Sequence, residues 1–130
     1  MGRHVDILII DDEKESNILL TNFLETHAHL TCLPTFNARQ GIWAAQDLKP
    51  DIILLDLVMP GINGEDVLKE LKPTLPDTKF IVMTGWIEER MKNRILDEIG
   101  VDGYFEKPIN LEELTTRVLE LMRLKTERDS

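Results

Sequence analysis

Three apolar runs in this chain each end at a reactive polar residue. The runs are 5–10, followed by Asp11 and Asp12; 52–55, followed by Asp56; and 80–83, followed by Thr84. Short β-branched runs bounded by polar or turn residues are typical of buried parallel strands. In an open α/β sheet, ligands bind outside the carboxyl ends of the strands. The polar residues, together with Lys107 after the short run Tyr104-Phe105, are therefore predicted to converge at one edge.

Strand-like and helix-like patterns alternate along the whole chain. Strands are predicted near 5–10, 29–33, 52–56, 79–84 and 102–105, and helices near 14–27, 37–47, 63–72, 87–99 and 110–124. Five β/α repeats predict an α/β fold with a doubly wound, five-stranded parallel sheet. The chain, 1–130, is assigned to one domain with a core of about 5–122. The polar segment 125–130 is interpreted as a tail or the start of a linker.

Composition narrows the possible functions. The 130 residues carry a net charge of −9, which argues against direct nucleic-acid binding and against anionic membrane surfaces. No apolar stretch approaches the ~18 residues of a membrane span, and no signal peptide is visible. The single cysteine, Cys32, forms no intrachain disulfide, which favours a cytoplasmic protein, and its apolar surroundings predict a small buried thiol.

The acidic cluster Asp11-Asp12-Glu13 has two interpretations. One acid could cap the helix that follows. That role does not explain adjacent acids at a strand end that must face Asp56, because like charges so close repel one another. A hard divalent cation resolves the conflict, and Mg²⁺ prefers one or two carboxylates with waters and phosphate oxygens. The cluster therefore predicts a Mg²⁺ site.

Asp56 follows four apolar positions and lies just before a Pro60-Gly61 turn. A carboxylate there is held on a rigid strand end and remains accessible. It could cap the loop by accepting backbone N–H groups. The functional interpretation is a nucleophile toward phosphorus that forms an acyl phosphate.

Two further strand ends supply groups that suit a phosphoryl ligand. Thr84 could be an ordinary β-branched strand residue, but with Gly85 behind it a hydroxyl and an unhindered N–H could meet a phosphoryl oxygen. Lys107 could be a solvated surface charge. Its position at the edge that carries the acids predicts a charge pair with Asp56 or its phosphate.

As a set, these motifs resemble the receiver domain of a bacterial two-component response regulator, and the resemblance covers about residues 5–122. It implies a flavodoxin-like (β/α)5 fold with strand order 2-1-3-4-5. It also implies roles for named residues: Asp56 as phosphoacceptor, Asp11, Asp12, Asp56 and the Val58 carbonyl as Mg²⁺ ligands, Thr84 and Lys107 as phosphoryl-binding groups, and Tyr104 as the switch aromatic.

The resemblance carries three further expectations about the surroundings of the site. Val58 and Trp86 flank it, and both are apolar where some family members carry polar or acidic residues. The Lys107-Pro108 peptide bond is expected to be cis, since the chain must leave the fifth strand sharply while Lys107 points into the site. The histidines His4, His27 and His29 are expected outside the site.

The implied function is a phosphoaccepting signalling switch and not a turnover enzyme. A histidine kinase or histidine phosphotransfer protein would donate the phosphoryl group. An unknown downstream protein or output domain would sense the face of the fourth helix, fifth strand and fifth helix, and a homodimer could form through that face.

Three other functions remain open. An aspartate-nucleophile phosphohydrolase would need a second Asp two residues after Asp56, where Val58 stands, and a cap domain that 130 residues cannot hold. A flavin or nucleotide binder would need a phosphate loop where Asp11-Asp12-Glu13 would repel phosphate. An unphosphorylated receiver-like interaction module would not need the complete residue set.

Overall fold

The computed structural model of the chain describes residues 4–129, with side chains to residue 125. Five parallel strands form its sheet: β1 (Ile7–Ile10), β2 (Cys32–Thr35), β3 (Ile52–Asp56), β4 (Lys79–Thr84) and β5 (Gly103–Glu106). Their order across the sheet is β2-β1-β3-β4-β5. The predicted doubly wound fold and its strand order are therefore confirmed.

Five helices connect and follow the strands. They are α1 (Lys14–Ala28), α2 (Ala38–Leu48), α3 (Gly64–Leu71), α4 (Glu89–Asn93) and α5 (Leu111–Asp129). A 3₁₀ turn, Lys72–Thr74, extends α3, and a π-helical turn, Arg94–Ile99, extends α4. Asparagine side chains cap α2, α3 and α5: Asn37 accepts the Gln40 N–H, Asn63 the Glu65 N–H, and Asn110 the Glu113 N–H. Among the described residues, no helix has the length and apolar character needed to cross a bilayer.

The strands are apolar throughout because both faces of the sheet are covered. Leu8 and Ile10 on β1 face the core formed with α2, α3 and the π turn of α4. Ile7 and Ile9 face the core formed with α1 and α5. A strand buried on both faces has no polar alternation, and this is why the sequence shows continuous apolar runs.

The second strand begins three residues later than predicted, at Cys32 and not at residue 29. Helix α1 continues to Ala28, and His29 then adopts a left-handed conformation with φ 55°. The strand also contains Pro34, which an edge strand tolerates because one side of its backbone has no sheet partner. Cys32 is buried as predicted, and burial raises the pKa of its thiol to about 12.

Three local features were not predicted. The segment around Pro60-Gly61 forms a two-stranded antiparallel ribbon, Val58–Met59 with Ile62–Asn63, in which Gly61 has φ 76°. The fourth helix changes from α to π geometry at Arg94, although 87–99 was predicted as one regular helix. Helix α5 continues through most of the polar segment 125–130, to Asp129, and Ser130 lies outside the described residues.

Candidate functional site

The carboxyl edge of the sheet brings the predicted residues together. Asp11 directly follows β1, Asp56 is the last residue of β3, Thr84 is the last residue of β4, and Lys107 directly follows β5. Parallel pairing aligns these strand ends, since Ile10 pairs with Leu55 and Asp56 with Met83. The positions of the side chains therefore follow from strand register.

Three carboxylates form the centre of the site. Asp11 and Asp56 are each 2% exposed, and Asp12 is partly exposed. One oxygen from each of Asp11, Asp12 and Asp56 lies within 4.8 Å of the others. Oxygen ligands this close, two of them buried, suit a hard divalent cation such as Mg²⁺.

Lys107 lies among the acids. Its Nζ is 3.1 Å from Asp56 Oδ2, 3.2 Å from Asp11 Oδ2 and 2.7 Å from Glu13 Oε1. Burial alone would lower the pKa of this ammonium, but its hydrogen bonds to Glu13 and Asp56 outweigh burial, so the pKa is above its ordinary value. The lysine is therefore charged and partly neutralises the carboxylates.

The Asp56 carboxylate is held by two donors. Its Oδ1 accepts the Val58 N–H at 3.0 Å, and its Oδ2 accepts from Lys107. Burial nevertheless raises the pKa of Asp56 to about 6, against the lowering effect of the two hydrogen bonds. The folded protein therefore stabilises the ionised Asp56 carboxylate less well than water does. A cation beside this carboxylate, or a covalent modification of it, would offset the free-energy cost of burying its charge.

The Thr84 hydroxyl is the buried side-chain polar group that lacks a hydrogen-bond partner among the described residues. Thr84 is fully buried, and its carbonyl accepts the Lys107 N–H at 2.7 Å. A Cβ built on Gly85 would meet no atom within 4 Å, so the backbone there is open to approach. The expected cis bond between Lys107 and Pro108 is present.

Three larger side chains surround the edge. Val58 is 55% exposed and Trp86 is 85% exposed. Tyr104 is partly buried, and Lys92 Nζ lies 5.3 Å from its ring centroid. Trp86, Tyr104 and Lys107 line one groove beside α4. His4 lies at the opposite edge of the sheet, outside the site as expected.

Sequence reasoning missed two residues of this edge. Glu13 was noted only as part of the acidic cluster, yet its carboxylate makes the shortest contact of Lys107. Asn17 is fully buried in α1 and donates to the carbonyls of Asp11 and Thr35, at 3.0 and 2.9 Å. An amide on an otherwise apolar helix face was the available signal for Asn17. No local pattern indicated the partner of Glu13.

The site lies at the carboxyl edge of a doubly wound sheet and combines two buried carboxylates, a lysine and the Thr84 hydroxyl. This combination defines a class of α/β domain in which carboxylates form the reactive centre. The family follows from comparison with known proteins. The response regulator receiver domain model matches residues 7–119, and the chain belongs to that family.

Individual relatives agree with this assignment. The response regulator protein VraR of Staphylococcus aureus (strain COL) is 29% identical over 120 residues, which are 92% of this chain but 57% of that protein. The receiver domain of a DNA-binding response regulator from Colwellia psychrerythraea is 30% identical with a TM-score of 0.83, covering 92% of this chain and 98% of that one. A CheY-like receiver domain from Methanospirillum hungatei, 22% identical, shares the fold with a TM-score of 0.88, covering 97% and 99% of the two chains.

Proposed function

We propose that this chain is a phosphoaccepting switch of a two-component system, with Asp56 as its acceptor. A phosphohistidine on a histidine kinase or phosphotransfer protein supplies the phosphoryl group. The P–N bond of the donor breaks as an Asp56 carboxylate oxygen forms the new P–O bond, and the imidazole leaves. The observation that carries the proposal is the buried Asp56 carboxylate with Lys107 at 3.1 Å and two further carboxylates within 4.8 Å.

The acid cluster fits Mg²⁺, the cation expected for this family. Asp11, Asp12 and Asp56 would hold it, with the Val58 carbonyl as a further ligand. When bound, it would neutralise charge on the carboxylates and on the transferred phosphoryl oxygens. Lys107, which follows β5 at the same edge, neutralises part of the same charge.

Thr84, Gly85 and Lys107 receive the phosphoryl oxygens. The Thr84 hydroxyl has no competing partner among the described residues, so bonding a phosphoryl oxygen costs it no existing bond. Gly85 offers an unobstructed backbone, and Lys107 offers charge-assisted donors. Transfer therefore depends mainly on positioning and charge neutralisation.

The output is a change on the surface formed by α4, β5 and α5. Thr84 ends β4, and Tyr104 pairs with the neighbouring Val82 across the β4–β5 ladder. A shift of Thr84 toward the phosphoryl group would leave space for Tyr104 to turn inward. That movement would alter affinity for a downstream protein, an output domain or a second copy of the chain.

The domain assists its own modification and does not turn over an external substrate. Val58, two residues after Asp56, carries no group able to act as acid or base. The acyl phosphate therefore persists until water reaches it. This interpretation agrees with the signalling role of the curated response-regulator relatives.

The test is labelling with acetyl phosphate and Mg²⁺ followed by intact-mass measurement. Wild type should gain one phosphoryl mass that hydroxylamine removes, and Asp56→Asn should gain none. Asp51→Asn, which removes the same charge at the far edge, should label like wild type. Lys107→Ala should retain partial labelling without the structural change. Equal labelling of Asp56→Asn and wild type would contradict the proposal.

A further inference from the structure

Glu13 makes the closest contact with the lysine of the site. Its Oε1 lies 2.7 Å from Lys107 Nζ, compared with 3.1 Å for Asp56 and 3.2 Å for Asp11. Glu13 is separated from Lys107 by 94 positions and meets it only because β1 and β5 end at the same edge. This contact lies outside the residue set assigned above to phosphoryl transfer.

The Glu13 side chain is not held by the helix that follows it. Glu13 occupies the N-cap position of α1, but its side chain accepts no capping hydrogen bond. Its backbone N–H is satisfied by Asp11 Oδ1 at 3.0 Å, and its carbonyl accepts the Asn17 N–H. The carboxylate is therefore directed at Lys107 and not at the helix end.

Lys107 has a fixed number of donors. An ammonium carries three N–H groups, and the three carboxylates of Glu13, Asp11 and Asp56 occupy three positions around it. A phosphoryl group on Asp56 brings new acceptor oxygens to the same place. One of the three contacts must weaken before Lys107 can donate to a phosphoryl oxygen.

The contact with Glu13 is the one most readily exchanged. The Glu13 side chain is 57% exposed, whereas those of Asp11 and Asp56 are 3% exposed. Water can replace Lys107 at an exposed carboxylate but has little access to a buried one. A phosphoryl oxygen can therefore displace the Glu13 carboxylate from Lys107, at the free-energy cost of breaking this ion pair.

We propose that Glu13 is a positioning residue that competes with the phosphoryl group for Lys107 and thereby lowers the affinity of the site for phosphoryl ligands. The inference rests on the proposed function, since it assumes that the phosphoryl group binds beside Lys107. It assigns a regulatory contribution to a residue outside the metal-ligand and acceptor set.

The test uses beryllofluoride, a tetrahedral phosphoryl analogue, titrated at saturating Mg²⁺ with tryptophan fluorescence as the readout. Trp86 lines the same groove as Lys107 and should report binding. Glu13→Gln should lower the half-saturating concentration by about two- to fivefold, as expected for release of one partly exposed ion pair. Saturation with Mg²⁺ is verified for each variant by a separate titration.

Glu15→Gln is the matched control. Glu15 is exposed in the first turn of α1, two residues after Glu13, and its substitution changes net charge equally, but its carboxylate is not among the groups that contact Lys107. It should leave the half-saturating concentration close to the wild-type value. If Glu13→Gln and Glu15→Gln shift it equally, the effect is general electrostatics and the proposal is wrong.

A double-mutant cycle separates competition from other roles of Glu13. In a Lys107→Ala background the gain from Glu13→Gln should disappear, and a persistent gain would overturn the proposal. If Lys107→Ala abolishes binding, the comparison with Glu15→Gln decides by itself. Failure of the proposed function looks different, because wild type would then bind beryllofluoride no better than Asp56→Asn.

Discussion

Carboxylates and lysines gather at both edges of the sheet, but their contacts differ. At the carboxyl edge, Asp11, Glu13 and Asp56 all contact Lys107. At the amino edge, Asp51 contacts His4 Nε2 at 2.8 Å and Lys125, and His4 Nε2 also lies 3.9 Å from Asp6 Oδ1. Three acids share one ammonium at the first edge, whereas Asp51 at the second edge contacts two basic side chains.

The amino-edge acids also stabilise backbone. Asp6 Oδ2 accepts the Thr31 N–H at 2.7 Å, and Asp102 Oδ2 accepts the Phe80 N–H at 2.8 Å, so each joins neighbouring segments of the sheet. Hydrogen bonds from backbone N–H groups to these carboxylates stabilise the fold. At the carboxyl edge three carboxylates share one ammonium, which leaves negative charge that a metal ion or a phosphoryl-transfer partner can neutralise. The partners that the acids contact, more than residue type, distinguish the two edges.

The largest expected difference between the edges is in Mg²⁺ affinity. Asp12→Ala should weaken Mg²⁺ binding on the order of 100-fold, about 2.7 kcal/mol, because it removes one of the three proposed carboxylate ligands. Asp51→Ala should bind Mg²⁺ like wild type. Fluorescence titration through Trp86 measures both.

Two results would contradict the predicted difference in Mg²⁺ binding between the two edges. If Asp12→Ala binds Mg²⁺ as tightly as wild type, the acid cluster is not the cation site. If Asp51→Ala weakens binding comparably, the amino-edge cluster of His4, Asp6 and Asp51 contributes and the edges are not functionally distinct.

The next expected difference is in stability, and it has opposite signs at the two edges. Without divalent cations at pH 7.5, Asp56→Asn should raise the free energy of unfolding on the order of 2 kcal/mol, because it removes an under-stabilised buried charge. Asp51→Asn should lower it by about 1–3 kcal/mol, because it removes the carboxylate charge that contacts His4 and Lys125. Urea unfolding of the two variants, which remove equal charge, measures the contrast.

The pH dependence of the free energy of unfolding tests the cause of this stability difference. Because the folded pKa of Asp56 is raised to about 6 from 3.8, its cost to the folded state is present above pH 6 and disappears as pH falls toward 4. The stability gap between wild type and Asp56→Asn should therefore close over that range. A gap that is constant from pH 7.5 to 4 would show that ionisation of Asp56 does not cause it.

The smallest expected effect concerns the lifetime of the acyl phosphate. Hydrolysis needs a water in line with phosphorus, and the family resemblance predicts that Val58 and Trp86 border that approach, where neither side chain would orient a water. We expect autodephosphorylation over many minutes or longer. Val58→Asn, alone and with Trp86→Glu, should accelerate phosphate release by about tenfold, or 1.4 kcal/mol. If neither variant is faster than wild type, the two side chains do not limit hydrolysis.

Much of the fold and of the candidate site could be predicted because their signals are local. Continuous apolar runs indicate strands buried on both faces, and each run ends where a polar side chain meets the sheet edge. These local signals predict that Asp11, Asp56 and Thr84 lie together at one edge of the sheet. The asparagine caps of α2 and α5 are equally local, since each acts within three residues.

Long-range contacts could not be predicted from the sequence. The same holds for the start of β2 and for the π turn, because tertiary packing determines both. The late start of β2 depends on how far α1 extends and on the register of Cys32 with Ile7. The π turn begins at Arg94, whose guanidinium forms two hydrogen bonds with the buried Glu65 of α3, at 2.9 and 3.0 Å. The residue pattern of neither helix, α3 or α4, indicates that Glu65 and Arg94 form an ion pair.

Sequence alone thus determined which strand ends carry reactive groups, because the length and burial of a strand follow from the pattern of neighbouring residues. Tertiary structure decided which charges meet. Lys107 could have paired with any acid within reach, and only the packed sheet shows that Glu13, Asp11 and Asp56 share it. An ion pair forms between side chains that the fold brings together, and its partners are separated here by 51 to 96 positions.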